Sequence, residues 1–163
     1  MLRSASLHAL GISQASMLPK GMDREQLVAF ARNHRLAVEA SVSGNGGPQA
    51  AVVAIAVSDE LELVFDTVTS SRKYQNLVEN PRIALVIGWD REVTMQIEGI
   101  VDFPSGAELE RVREVYFTKH PDGRNRLAWP ELIHARVRPT WVRYSDFNQN
   151  PRYIVELAAS ELF

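Results

Sequence analysis

Residues 36–67 read LAVEASVSGNGGPQAAVVAIAVSDELELVFDT, and this stretch decides the fold. LAVEASVSG has the residue mix of a strand. GNGGP at 44–48 carries the glycines of a turn, so the next run pairs back as a hairpin. That run, Gln49 to Val57, is almost wholly apolar and is expected as a strand buried on both faces. Ser58-Asp59-Glu60 turns the chain, and LELVFDT at 61–67 alternates into another strand. Short links between successive strands favour an antiparallel sheet or barrel over βαβ units.

The flanks agree. Upstream, MDREQLVAFARNH from Met22 predicts a helix, with Asp23 as cap, Gln26 in capping-box position, and Leu27, Phe30 and Ala31 on one face. Downstream, SSRKYQNLVENP predicts a short helix capped by Ser70 or Ser71 that ends before Pro81. RIALVIGWD (82–90) and EVTMQIEGIVDF (92–103) are two more strands joined by a tight Asp90-Arg91 link. Ser105 is expected to cap a helix over 106–120 whose Leu109, Val112, Val115 and Tyr116 form an apolar stripe, stopped by His120-Pro121-Asp122-Gly123. A last strand lies within 134–147, before the polar break NQNP. About six strands and two or three helices result: mainly β, a small antiparallel barrel with helical decoration. The chain divides into an N-terminal arm (1–21), a barrel domain (22–147) and a C-terminal tail (148–163).

Composition narrows the function. The 163 residues are 45% hydrophobic and 23% charged, the mix of a globular chain. Lys and Arg number 18 against 20 Asp and Glu, a net charge of -2, which gives no electrostatic reason to expect nucleic acid or an anionic membrane as partner. No cysteine is present, so disulfides, zinc–thiolate sites, iron–sulfur clusters and thiol catalysis are excluded. No apolar run approaches the roughly 18 residues of a membrane helix. The first 20 residues lack the pattern of a secretory leader. The expected location is cytoplasmic. His8, His34, His120 and His134 share no spacing with a carboxylate that would make a metal site; His34 and His120 fall at helix C-termini, where a cation is favourable.

Two segments carry possible chemistry. In FDTVTSSRK (65–73) a strand ends, hydroxyls gather at Thr67, Thr69, Ser70 and Ser71, and Arg72-Lys73 open a helix. Hydroxyls, two cations and free amides at a helix start suit a phosphate dianion. A capped helix with a solvated basic face accounts for the same residues. In the strand 93–98, Val93, Met95 and Ile97 point one way and Thr94, Gln96 and Glu98 the other. That polar face would meet a ligand, a second subunit or solvent.

FDTVTSSRKYQNLVENPRIALVIGW, followed by a strand with IEG and then a helix, resembles the pyridoxamine 5′-phosphate oxidase-like family of FMN-binding split barrels, over roughly residues 24–147. The resemblance implies a six-stranded split barrel, FMN as cofactor, and a homodimer with flavin sites at the subunit interface. Arg72 and Lys73 match the basic pair that grips the FMN phosphate, together with Thr67 and Ser71. Ala51, Val52, Val53, Ala54 and Ile55, in the run that ends at Ala56, match the strand whose backbone lies beside the isoalloxazine and ribityl groups. Asp66 falls at a cofactor-contacting position. Thr94 falls where the oxidases carry a flavin-touching Gln, which Gln96 on the same face could replace. Trp129, Arg136 or Trp141 could be the partner's contribution.

The departures carry equal weight. Where oxidases proper begin the apolar strand with Arg and end it with Lys, this chain has Ala51 and Ala56. Their C-terminal Trp-Gly-Gly-x-Arg segment has no clear counterpart, although Arg136 sits about where its Arg would fall. The resemblance therefore implies a shorter relative rather than a vitamin B6 oxidase: a flavin-dependent oxidoreductase on a small molecule. A non-catalytic flavin-binding or flavin-free carrier, sensor or interaction module of the same fold is the alternative, and a deazaflavin or haem would also suit a phosphate-binding Arg72-Lys73 pair.

Overall fold

Gly-Asn-Gly-Gly at 44–47 does reverse the chain, and the computed structural model, which describes residues 21–163, shows what is built on that reversal. Strand β1 (Leu36–Val42) pairs antiparallel with β2 (Pro48–Ala54), with Glu39 opposite Ala51 and Val38 opposite Val52. The chain continues through β3 (Ala56–Val57), β4 (Leu63–Val68), α2 (Arg72–Glu79), β5 (Arg82–Ile87), β6 (Val93–Asp102), α3 (Gly106–Lys119), β7 (Leu132–Asp146), β8 (Tyr153–Ala158) and α4 (Ala159–Leu162). Helix α1 (Arg24–Arg32) precedes β1 and starts with the expected reciprocal bonds between Asp23 and Gln26. The N-terminal arm lies outside the described residues.

The sheet order is β2-β1-β5-β6-β7-β4-β3, with β8 on the far part of β7, and every pairing is antiparallel. The two ends of that order, β2 and β3, are one stretch of chain interrupted only at Ile55. The sheet therefore curls back on itself, a mainly-β split barrel. Ile55 pins the bend: its amide donates to the Arg35 carbonyl at 2.9 Å, and its carbonyl accepts from His120 Nε2 at 2.8 Å. His120 closes α3, so a helix C-terminus, as expected for this histidine, holds the place where one strand becomes two.

Inward side chains from every strand fill the barrel, among them Val53, Ile55, Leu63, Phe65, Ile83, Leu85, Met95, Ile97 and Val142, with Leu27 and Ala31 of α1 and Leu77 of α2. A second, smaller cluster packs Val112, Tyr116 and Phe117 of α3 on Ala56 and Val64, the outer face of β3 and β4.

Three expectations change. The apolar run 49–57 is not buried on both faces: β2 is an end strand, Val53 turns inward, and Val52 is 61% exposed on the outer face, which none of the other described residues covers. Among the described residues there are eight strands rather than six, because Ile55 divides that run and because β8 forms within the stretch expected as a tail. Tyr153–Ala158 pairs with Trp141–Asp146; the polar break before it is a connection, not an end. Ser105 occupies the N-cap of α3, but its hydroxyl makes no capping bond.

Candidate functional site

The strand-to-helix corner after β4 is assembled by its own hydroxyls. Ser71, in extended conformation, caps α2: its Oγ accepts from the Tyr74 amide at 3.2 Å and lies 3.0 Å from Thr67 Oγ1. Ser70 is turned away and donates to Glu131 Oε2 at 2.6 Å, so Ser71 is the cap. Two hydroxyls sharing one hydrogen bond leave one O–H to donate elsewhere. Arg72 and Lys73 occupy the first helical positions, where backbone N–H groups lack intrahelical partners and the helix dipole is positive. Neither side chain makes a hydrogen bond or an ion pair among the described residues.

Beside this corner opens a cavity of about 430 Å³, lined by Ser71, Arg72 and Lys73 on one side and by Glu39, Ser41, Gln49, Ala50 and Ala51 of β1 and β2 on the other. Asn76 of α2 ties the two walls, donating to Ser41 Oγ at 3.2 Å and to Gln49 Oε1 at 3.1 Å. Glu39 was not singled out from the sequence. It is 1% exposed at the cavity floor, and its Oε2 has no hydrogen-bond partner. Burial pushes its carboxyl above the usual carboxylate range, against the pull of Lys73 and the Ser41 hydroxyl. The available signal was a lone charge on the inward side of an apolar strand, between the small residues Ala37 and Ser41.

Of the residues expected at a site, the structure brings Thr67, Ser71, Arg72, Lys73 and Ala51 to this corner. Ala54 is half-buried on the same strand. Val53 and Ile55 send their side chains into the core and can offer a ligand only backbone, while Val52 points to the outer face. Asp66 lies on the opposite side of β4 from Thr67. There it accepts from Tyr116 Oη at 2.9 Å and from Arg126 Nε at 2.7 Å. Burial and the Asp66 charge raise the Tyr116 phenol, and the hydrogen bond to Asp66 raises Arg126. Thr94, Gln96 and Trp141 lie on the outer face of β6 and β7, where Gln96 faces Val86 and Arg143 and Trp141 faces Glu98. Within one chain they do not reach the cavity. Arg136 is 5% exposed, with Asp102 on Nε and Nη2 at 2.9 and 2.6 Å and Glu108 on Nη1 at 2.6 Å. It is a structural cation here. Trp129 is half exposed beyond α3.

A curled antiparallel barrel with a basic, hydroxyl-capped corner at the start of its second helix defines the class. The family model for pyridoxamine 5′-phosphate oxidase matches residues 23–146, and the chain belongs to that family. A pyridoxine/pyridoxamine 5′-phosphate oxidase of Bordetella avium is 33% identical over 122 residues, 69% of this chain and 56% of that protein; the chain thus spans about half the length of the curated relatives it matches. Among solved structures, a heme binding protein from Mycobacterium smegmatis superposes with a TM-score of 0.74 at 15% identity, over 85% of this chain and 59% of that one. A pyridoxamine 5′-phosphate oxidase-related, FMN binding protein from Nostoc punctiforme gives 0.59 at 14% identity, over 83% and 90%. Those likenesses establish the fold. Among the described residues no helix is long and apolar enough to cross a membrane, and no group of His, Asp and Glu is placed to hold a metal ion.

Proposed function

We propose that this chain binds FMN and works as a homodimeric flavin-dependent oxidoreductase on a small molecule. The observation that carries the reading is the pair Arg72 and Lys73. They sit at a hydroxyl-capped helix start, on the wall of a cavity, without a carboxylate in ion-pair contact among the described residues. A doubly charged phosphate is the ligand that such a corner complements. Family membership and the FMN-binding relative with the same fold support it.

In this reading Arg72 and Lys73 neutralise the phosphate, and the hydroxyl pair of Thr67 and Ser71 adds a donor. The small side chain of Ala51 lets a flat ring approach the backbone of β2 from the cavity side. Bound FMN supplies hydride chemistry, so the protein contributes binding, orientation and electrostatics rather than an acid–base pair. The second subunit would cover the outer face of β2, β1 and β5, where Leu36, Val42 and Val52 are 46%, 39% and 61% exposed. The same packing would carry Thr94, Gln96 and Trp141 toward the partner's site. With Ala51 and Ala56 in place of cations, a phosphorylated substrate has no second pair of charges to meet on this strand, which favours a substrate other than a B6 vitamer.

Replacing both Arg72 and Lys73 by Ala tests the reading. Charge-assisted phosphate contacts contribute about 1.5–3 kcal/mol each, so FMN affinity should fall by about 10²- to 10⁴-fold. Unchanged affinity would remove the phosphate site. Reduction of the bound flavin by a nicotinamide and reoxidation by oxygen would separate the enzyme from a non-catalytic carrier.

A further inference from the structure

A cavity of about 720 Å³ opens between the last turns of α1 and α3 and the short strand β3. It shares no lining residue with the cavity at Arg72 and Lys73. Part of its wall is apolar: Val115 is half-buried, and Val57 keeps 6% of its surface. Charged side chains stand around that wall, and most are spent on one another. Arg32 donates from Nε to the Val57 carbonyl at 2.9 Å and from Nη2 to Asp59 at 2.7 Å. Arg111 pairs with Glu62 at 2.7 Å and with Glu108 at 3.2 Å, and Glu114 pairs with Arg124 at 3.2 Å. Two lining charges are left over. Glu60 is exposed on the turn before β4 and has no ion-pair partner among the described residues. Lys119, the half-buried last residue of α3, donates to the Arg32 carbonyl, and among the described residues no carboxylate is in ion-pair contact with it.

The Arg32 carbonyl is one of those that a helix end leaves without an intrahelical donor. Lys119 is therefore held in place by a neutral group that does nothing to compensate its charge. An ammonium has three donors and this bond uses one; Arg32 Nη1, on the same rim, makes no hydrogen bond among the described residues. Because Asp59 cancels Arg32, the Lys119 side of the rim carries a single excess positive charge. A monoanion complements it, whereas a dianion gains no second cation and adds repulsion from Glu60. Beside that charge the exposed parts of Val57 and Val115 favour apolar contact over water. Few polar groups at the edge of an apolar wall are what fixes the orientation of a small ligand. We propose that this cavity is a second ligand site, separate from the basic corner, which takes monocarboxylic acids with an apolar body, the carboxylate resting on Lys119 and Arg32. The proposal does not depend on the flavin reading.

The test titrates three probes with one apolar body and different charge, phenylbutyrate, phenylbutanol and phenylbutylamine, into the purified protein by calorimetry. Wild type should bind the acid about fivefold or more tightly than the alcohol, and the amine no more tightly than the alcohol. Lys119→Met should bring the acid to within about twofold of the alcohol. Lys119→Gln should do the same, and it keeps a donor for the Arg32 carbonyl should the Met variant fold poorly. Thr118→Trp, at an exposed position of the cavity wall, should weaken the acid and the alcohol together. The Arg72→Ala, Lys73→Ala double variant should bind the acid as wild type does, whether or not it holds FMN. Failure of wild type to bind the acid, or to prefer it to the alcohol, overturns the proposal. So does a preference that survives in both Lys119 variants, or an affinity that Thr118→Trp leaves unchanged. Loss of the acid in the double variant would place the ligand at the basic corner and overturn it as well. If FMN does not bind but the acid behaves as described, the cofactor reading fails and this site stands.

Discussion

His134 is fully enclosed, with neither ring nitrogen hydrogen-bonded and the rings of Tyr116 and Phe117 set edge-on against it. Burial, the dominant influence, lowers its pKa below the ordinary imidazole value of 6.5, although the nearby Asp66 charge opposes the shift. The folded protein therefore holds the imidazole neutral, whereas the unfolded chain takes up a proton as pH falls through about 6.5. Below that pH the unfolded state binds more protons, so this contribution to stability is complete above pH 6.5 and is lost as pH drops. Denaturant titrations at pH 7.5 and 5.5 should show wild type losing more stability on acidification than His134→Leu; equal losses would contradict the account. Glu39 works in the opposite sense. Its raised carboxyl costs stability as pH rises through the unfolded value of 4.5, so Glu39→Leu should have a higher melting temperature than wild type at pH 7. None of this was legible beforehand: a histidine's burial depends on which helix lands on its strand, and sequence shows only that His134 lacks a metal-ligand spacing.

Helix α2 and strand β6 show why local chemistry was readable and tertiary consequences were not. The capping serine, the proline stop and the basic pair are short-range features, and the structure keeps each of them. Ser71→Ala should cost about 1 kcal/mol of stability by removing the cap, and should weaken FMN binding by loosening the first turn, as thermal melts and titrations would show. A stable variant with unaltered binding would argue against the corner. In β6, Gly99 follows the register shift after Glu98. A Cβ there would stand 2.7 Å from both the Arg138 carbonyl oxygen and Val137 Cγ1, so Gly99→Ala forces β6 and β7 apart. Overpacking of this kind costs about 1–3 kcal/mol, measurable by denaturant unfolding. The glycine was visible in the Glu-Gly pair, but its reason lies on a strand some forty residues away. The apolar run of β2 misled for a related cause: continuous hydrophobicity predicts burial on both faces, and the other described residues cover only one.

At the scale of the whole molecule, that uncovered face is the feature a single chain leaves unexplained. Val52, Val38 and Val86 run side by side across β2, β1 and β5, with Ala50, Ala40 and Ala84 as the next row, and contiguous exposed apolar surface of this kind marks an interface. Val52→Asp, which alters an exposed side chain and leaves the core intact, should convert a dimer to a monomer by light scattering and reduce FMN retention with it. A dimer that survives the substitution would place the interface elsewhere. The barrel could be read from hairpin turns and strand spacing, and the capped helix start from its hydroxyls and basic pair. The acidic floor of the cavity, the Asp66–Tyr116–Arg126 network and the C-terminal strand depend on contacts between distant segments, which composition and periodicity do not encode. The central claim is that the corner at Arg72 and Lys73 holds a flavin phosphate. The most direct measurement is the visible spectrum of the purified protein after equilibration with FMN and removal of the excess, with mass analysis of what acid releases. The account predicts a flavin spectrum and an FMN mass that the Arg72→Ala, Lys73→Ala double variant lacks. A colourless wild-type protein that retains no FMN would contradict it.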